Sequence, residues 1–290
     1  MTVTAFVRRK HSFLLPWEGI SMFLKRAFLG LLGGLAIVAS VSMPASAESG
    51  SVLQSVLSNG KLRIAVLGSL PPYSTVGADG VPVGYDIDIA KKLAAALKVE
   101  PEFVVTDIPS RVTSLQTGKV DVTIADFTRN VERSTSVAFS NPYVVTNMRL
   151  LVPESAPYKT IDEANAAKIR VAISRGGTAE RAVPAHLPNA QIVRFNTQAD
   201  ELSALLSGQV DAMAEDDFYN RKAIGDNQGK LRQVDGSLAR AEIAIGVPAG
   251  DADWLRVINL FVDQFNASGD NKALFNKWFG FDQPSLQAQY

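Results

Sequence analysis

The sequence predicts an α/β protein built from parallel βαβ units, and three features carry that expectation. Stretches with a period of two, such as Leu62-Arg63-Ile64-Ala65-Val66, read as strands. They alternate with stretches whose apolar residues fall four apart, such as Ile89, Leu93 and Leu97, which read as helices. One passage also echoes another: Gly208-Gln209-Val210-Asp211-Ala212-Met213-Ala214-Glu215-Asp216 follows the pattern of Gly118-Lys119-Val120-Asp121-Val122-Thr123-Ile124-Ala125-Asp126. Finally, 290 residues at 47% hydrophobic suffice for one large or two medium domains, and the absence of cysteine leaves the core to supply their stability.

The chain opens outside that fold. Lys25 and Arg26 precede an apolar run, Ala27 to Met43, and Ala45-Ser46-Ala47 offers a small-residue cleavage site. Residues 1–47 therefore read as an export signal peptide rather than a retained membrane helix. Met22 stands where such a leader normally starts, so 1–21 reads as an over-called gene start. The full chain has zero net charge. Cleavage removes five basic residues (Arg8, Arg9, Lys10, Lys25, Arg26) against one acid (Glu18), leaving a net charge of −4. That balance argues against nucleic acid as a partner.

The elements follow in order. After the strand at Leu62–Val66, Gly68 to Gly84 is a Gly/Pro-rich loop carrying Pro71-Pro72-Tyr73. Gly84-Tyr85-Asp86-Ile87-Asp88 opens a helix, with Asp86 placed to cap its free amides. A strand near Phe103–Val105 and a helix over Arg111–Thr117 lead into the strand at Val122–Ile124. Its end is polar: Asp126, Thr128, Arg129 and Asn130, then Glu132 and Arg133. Met148–Pro153 runs extended, a helical segment starts near Ile161, and Arg170–Ile173 is a strand ending in Ser174-Arg175-Gly176-Gly177-Thr178. Glycines between a strand and a helix let backbone amides approach an anion. A strand at Ile192–Phe195, a helix at Glu201–Leu206 and the echo strand precede a return strand, Ile243–Pro248, expected to run beside Met148–Pro153. Trp254–Phe265 is an amphipathic helix whose aromatics read as core, and Lys272–Trp278 closes the fold.

The segment Thr128 to Arg133, T-x-x-x-E-R, followed by Ala138-Phe139-Ser140-Asn141-Pro142-Tyr143, resembles the signature of the periplasmic amino-acid-binding proteins of ABC importers, solute-binding protein family 3. The G-Y-D-I-D helix and the ending Lys277-Trp278-Phe279-Gly280 resemble the same family, so the likeness spans 61–280. It implies a two-lobed periplasmic-binding-protein fold of type II, with two hinge crossings and a ligand cleft between the lobes. Lobe 1 would hold 58–149 plus 248–290, and lobe 2 would hold 150–247.

The resemblance also implies the site. Arg133 would hold the ligand α-carboxylate with help from Thr128. From the second lobe, Gly177 and the Thr178 amide would join them, while Asp216 takes the ammonium. Guanidinium suits the first task because its planar fork matches a carboxylate. Read alone, Arg133 is a surface arginine in a salt bridge, and Asp216 is a strand-end acid capping a helix. The family's aromatic sandwich has Leu70 and Ile108 in its places here, with Tyr73 close by. Arg111 stands where members for acidic amino acids carry an arginine, although it also reads as a solvated residue at a helix start. Asp126 faces the same cleft and would repel an acidic ligand unless it pairs with Arg111; unpaired, it favours a cationic or amide side chain. A polar or acidic amino acid is the expectation.

The implied function is non-catalytic binding of a free amino acid in the periplasm and delivery to an inner-membrane ABC permease, as a monomer without cofactor. Two rivals share the fold: a cyclohexadienyl dehydratase-like enzyme, for which Glu215, Asp126 or Glu180 would be the acid, and a sensor input module. Metal and nucleophile motifs are missing from the sequence, and its two histidines, His11 and His186, are far apart.

Overall fold

The computed structural model describes residues 50–287, and the expected leader lies outside them. Among the described residues no helix is long and apolar enough to cross a membrane.

A short helix α1 (Val52–Asn59) precedes β1 (Lys61–Leu67). The stretch read as a loop contains a small antiparallel sheet of β2 (Ser69–Leu70), β3 (Ser74–Val76) and β4 (Pro82–Val83). Helix α2 (Tyr85–Leu97) follows, then β5 (Glu100–Thr106), α3 (Ser110–Gln116) and β6 (Val122–Thr123). The cap of α2 is Gly84 and not Asp86, which is buried inside the first turn. Gly84 has φ 141°, and a Cβ there would lie 2.3 Å from the Tyr73 carbonyl oxygen. Only glycine lets the helix start so close to that backbone.

One turn of helix, α4 (Val131–Ser134), is capped by the Asn130 side chain, which accepts from the Arg133 amide. Strand β7 (Val137–Pro153) is 17 residues long. The second half repeats the plan with α5 (Ile161–Ala166), β8 (Arg170–Ser174), α6 (Ala179–His186), β9 (Gln191–Phe195), α7 (Gln198–Leu206) and β10 (Ala212–Asp216). Helix α8 (Asp217–Asp226), β11 (Leu231–Gln233), β12 (Ala239–Pro248), α9 (Ala252–Ala267) and α10 (Asp270–Phe279) complete it.

The main sheet runs β5-β1-β6-β12-β7-β10-β8-β9, with β11 also on β7. In the first half β1 lies parallel to β5 and β6, and in the second β8 lies parallel to β9 and β10. Between these parallel groups stand β7 and β12, antiparallel to each other along most of their length. The return strand does not run beside Met148–Pro153 as expected. Ile243 faces Val144 and Pro248 faces Val137, while Leu150 and Leu151 pair with β10 and β11. The reason is the length of β7, which reaches back to Val137 and is long enough to serve both halves.

The sequence echo has a structural counterpart. Asp121 accepts from the Arg63 amide (2.8 Å) and guanidinium (2.5 Å), and Asp211 does the same for Arg170 (2.8 and 2.7 Å). Both arginines also donate to carbonyls of the G-x-V turn, Gly118 and Gln209 among them. The repeated aspartate therefore ties the turn to the start of the neighbouring strand in each half. The largest core packs Leu62, Ile64, Ile89, Leu93, Trp254 and Phe275, and a second core packs Leu150, Val171, Ile173, Val183 and Ala214.

Candidate functional site

The C-terminal ends of parallel strands open onto the crevice where open α/β sheets bind ligands. The chain leaving β6 and the chain leaving β8 and β10 meet there, across a floor made by β7 and β12. The crevice is lined by residues from both halves, including Ile108, Arg111, Asp126 and Thr128 from the first and Gly177, Thr178, Glu215 and Asp216 from the second. Only about 20 Å³ admits the centre of a water-sized molecule. That is room for one or two waters.

Arg133 lies at the rim of this cleft and spans it. One guanidinium nitrogen donates to the Thr128 carbonyl (2.5 Å) and the other to the Gly176 carbonyl across the gap (2.7 Å). Beside it the Thr178 hydroxyl donates to the Thr128 hydroxyl (2.9 Å). Gly176, with φ 67°, brings the second half against Pro109, to which a Cβ would stand 3.3 Å away. Burial, and then repulsion from Arg111 and Arg181, lowers the Arg133 pKa to about 9.

Arg111 is buried rather than solvated, 3% exposed. It donates to three carbonyls, Ile108 (3.1 Å), Ala125 (3.0 Å) and Asp126 (2.7 Å), and lies over the Phe127 ring. Asp126 has φ 46°, a left-handed conformation that L residues seldom adopt. Its amide donates to Asp86 (2.9 Å), whose other oxygen accepts from the Tyr143 hydroxyl (2.9 Å). Asp86 therefore braces the β6 loop instead of capping its own helix. Its pKa is pushed up to about 7 by burial.

Asp216 caps a helix, as one of its two readings expects. One oxygen caps α8, accepting from the amides of Phe218 (2.9 Å) and Tyr219 (3.1 Å) and from the Tyr73 hydroxyl (3.2 Å). The other oxygen is buried without a partner among the described residues, as is Oδ1 of Asp126. The Glu215 carboxylate accepts from the Gln198 side-chain amide at 3.3 Å. Oxygens of Asp126, Glu215 and Asp216 all lie within 4.8 Å of one another. Burial is the first cause lifting all three acids. Asp216 rises to about 7; Glu215, next to Asp216, to about 8; and Asp126, facing both, climbs well above the carboxylate range. Burying like charges together disfavours ionisation unless a cation joins them.

The structure thus assembles eight of the residues singled out in the sequence around one cleft: Arg111, Asp126, Thr128, Ile108, Gly177, Thr178, Glu215 and Asp216. Arg133 bounds it, and Tyr73 reaches it only by its hydroxyl on Asp216. Leu70 does not line it; the side chain is fully buried in the large core. Sequence reasoning missed the floor, Thr146 and Met148 from β7 with Ala241 and Ile243 from β12. Period-two spacing puts each pair on one face, but only the register of β7 on β12 shows that it is the same face.

A two-lobed α/β protein with a cationic rim and an anionic wall facing one inter-lobe cleft has the design of a solute-binding protein. The chain belongs to the bacterial extracellular solute-binding proteins, family 3, which it matches over residues 62–281. It is 26% identical over 260 residues to the L-cystine-binding protein TcyJ of Escherichia coli K12, covering 89% of this chain and 96% of that protein. It is 28% identical over 263 residues to an L-arginine-binding protein of Pseudomonas aeruginosa, covering 88% and 97%. Among solved structures it resembles the ancestral amino acid-binding protein AncCDT-1, a precursor of cyclohexadienyl dehydratase, at TM-score 0.74 and 30% identity, covering 79% of this chain and all of that one.

Proposed function

We propose that this protein binds a free amino acid between its lobes in the periplasm and presents it, as a monomer, to an ABC permease. The lobes are taken as 58–149 with 248–290, and 150–247. The observation that carries the reading is the pair of opposite poles on one cleft: the Arg133 guanidinium reaching from Thr128 to Gly176, and the unpartnered Asp216 oxygen. A zwitterion satisfies both, its carboxylate replacing the carbonyls now held by Arg133 and its ammonium meeting Asp216. Each pole draws on both lobes, so the ligand has a differential affinity for the closed form, which is what drives a hinge. The amino-acid-binding relatives support the same reading.

Calorimetry with the common amino acids tests it, alongside Arg133→Ala. The variant is expected to lose about 2–5 kcal/mol of binding free energy, as when one partner of a buried charge pair is truncated. Binding by none of them sinks the proposal. A dehydratase reading draws on Glu215, an acid raised to about 8 inside the cleft, and on the likeness to a dehydratase precursor. Incubation with arogenate or prephenate decides it: release of an aromatic product displaces the transport reading.

A further inference from the structure

The acids of the cleft outnumber what an ordinary zwitterion needs. The ligand ammonium calls for one carboxylate, and Asp216 supplies it. Asp126 and Glu215 remain, both lining the same cleft. Arg111 does not neutralise them by pairing: it grips the Asp126 carbonyl, and Oδ1 of the Asp126 side chain is left buried without a partner. Asp126 is also pinned from both sides in a left-handed backbone conformation, its amide on Asp86 and its carbonyl on Arg111. The backbone is thus fixed beneath a carboxylate that feels the Arg111 charge but whose Oδ1 has no hydrogen-bond partner among the described residues.

We propose that Asp126 and Glu215 form a second cation seat beside Asp216, so that the ligand is an amino acid with a cationic side chain. This deepens the amino-acid-binding reading above and rests on it. Arg133 takes the carboxylate, Asp216 the ammonium, and the side-chain guanidinium or ammonium lies between Asp126 and Glu215. The other ionisable groups around the seat include Arg111, Arg133, Tyr73, Tyr143 and Tyr219, with Asp86 behind the β6 loop and Glu201, raised in part by the charge of Glu215. Glu201 is bonded to Ser174 and fully buried, so it faces the seat from behind rather than lining it. An acidic side chain would add a fourth carboxylate to this cluster with only Arg111 to meet it. The balance therefore turns away from the acidic ligand that Arg111 alone suggests.

Calorimetry near neutral pH on the leader-free chain tests the seat by matched pairs: L-arginine against L-citrulline, and L-lysine against L-norleucine, with L-glutamate as the acidic member. Each cationic ligand is expected to bind about 30-fold or more tighter than its neutral match. Asp126→Asn and Glu215→Gln, each checked for native circular dichroism, are expected to shrink that ratio about tenfold or more. The wild-type ratios stand as a test even if a variant does not fold. Equal binding within the pairs, an unchanged ratio in both folded variants, or glutamate as the tightest ligand overturns the seat while leaving amino-acid binding intact. Binding of no amino acid overturns both. Binding of calcium or magnesium alone assigns the cluster to a metal and also overturns both.

Discussion

Single side chains in this protein take partners that no local pattern reveals, which is why their roles are only partly legible in the sequence. Asp216 reads either as a helix cap or as a ligand contact; one oxygen caps α8, and the other has no partner among the described residues. Asp86 reads as a cap from its place in the first turn, yet it turns inward to Tyr143 and the Asp126 amide, because Gly84 already starts the helix and tertiary partners outweigh a local one. Leu70 reads as a ligand contact from its place in the family, but an aliphatic side chain beside Tyr73 gains more from the core. Tyr73 itself acts through Asp216, donating at 3.2 Å to the capping oxygen. Tyr73→Phe keeps the packed ring and removes that donor, so Asp216 ionises less readily near neutral pH. A typical hydrogen bond contributes about 1 kcal/mol. Ligand affinity should therefore fall about fivefold at neutral pH with the melting curve little changed, as titration calorimetry and thermal denaturation would show. No change in affinity would detach Tyr73 from the site.

At the level of elements, the sequence places β1, β5, β8, β9, α3 and α9 within a few residues, because each shows its apolar pattern within one short segment. It cannot place β7 and β12 against each other. Register between distant strands depends on which faces are buried on both sides, and β7 runs for 17 residues without a break that marks where one half ends. The link from β4 to α2 is legible as glycine-rich but not as tight. Gly84 holds φ 141° with the Tyr73 carbonyl against the place of a Cβ. Gly84→Ala forces the α2 start away from Tyr73 and breaks the bonds from Tyr85 and Asp86 amides to the Pro72 and Tyr73 carbonyls. A loss of roughly 2–4 kcal/mol in unfolding free energy is expected from urea denaturation. Unaltered stability would mean that the loop simply shifts aside.

For the molecule as a whole, the buried acids couple the cleft to the stability of the entire fold. Asp86 and Asp216 are raised to about 7 and Glu215 to about 8, while Asp126 and Glu201 also rise, burial being the first cause throughout. In the unfolded chain such carboxyls ionise near about 4. Between those limits the folded state holds protons that the unfolded state has released, so stability falls as pH rises and levels off only above the raised values. Glu180 and Asp211, held low by Arg194 and Arg170, act in the opposite sense but only at more acid pH. A tenfold difference in proton affinity between folded and unfolded chain corresponds to about 1.4 kcal/mol. Because the sites interact and the cleft can open to water, a total of about 2–4 kcal/mol is expected. The ligand-free protein should therefore unfold at lower urea concentration at pH ~8 than at pH ~5. Asp86→Asn, which keeps an acceptor for the Asp126 amide, should flatten that slope. A cationic ligand should reverse the trend, because it favours the ionised carboxylates and its stabilisation grows with its affinity. Unfolding curves that do not move between the two pH values would show that the acids are solvated in the folded state. The cleft would then lack the electrostatic strain that the proposed cationic ligand would relieve.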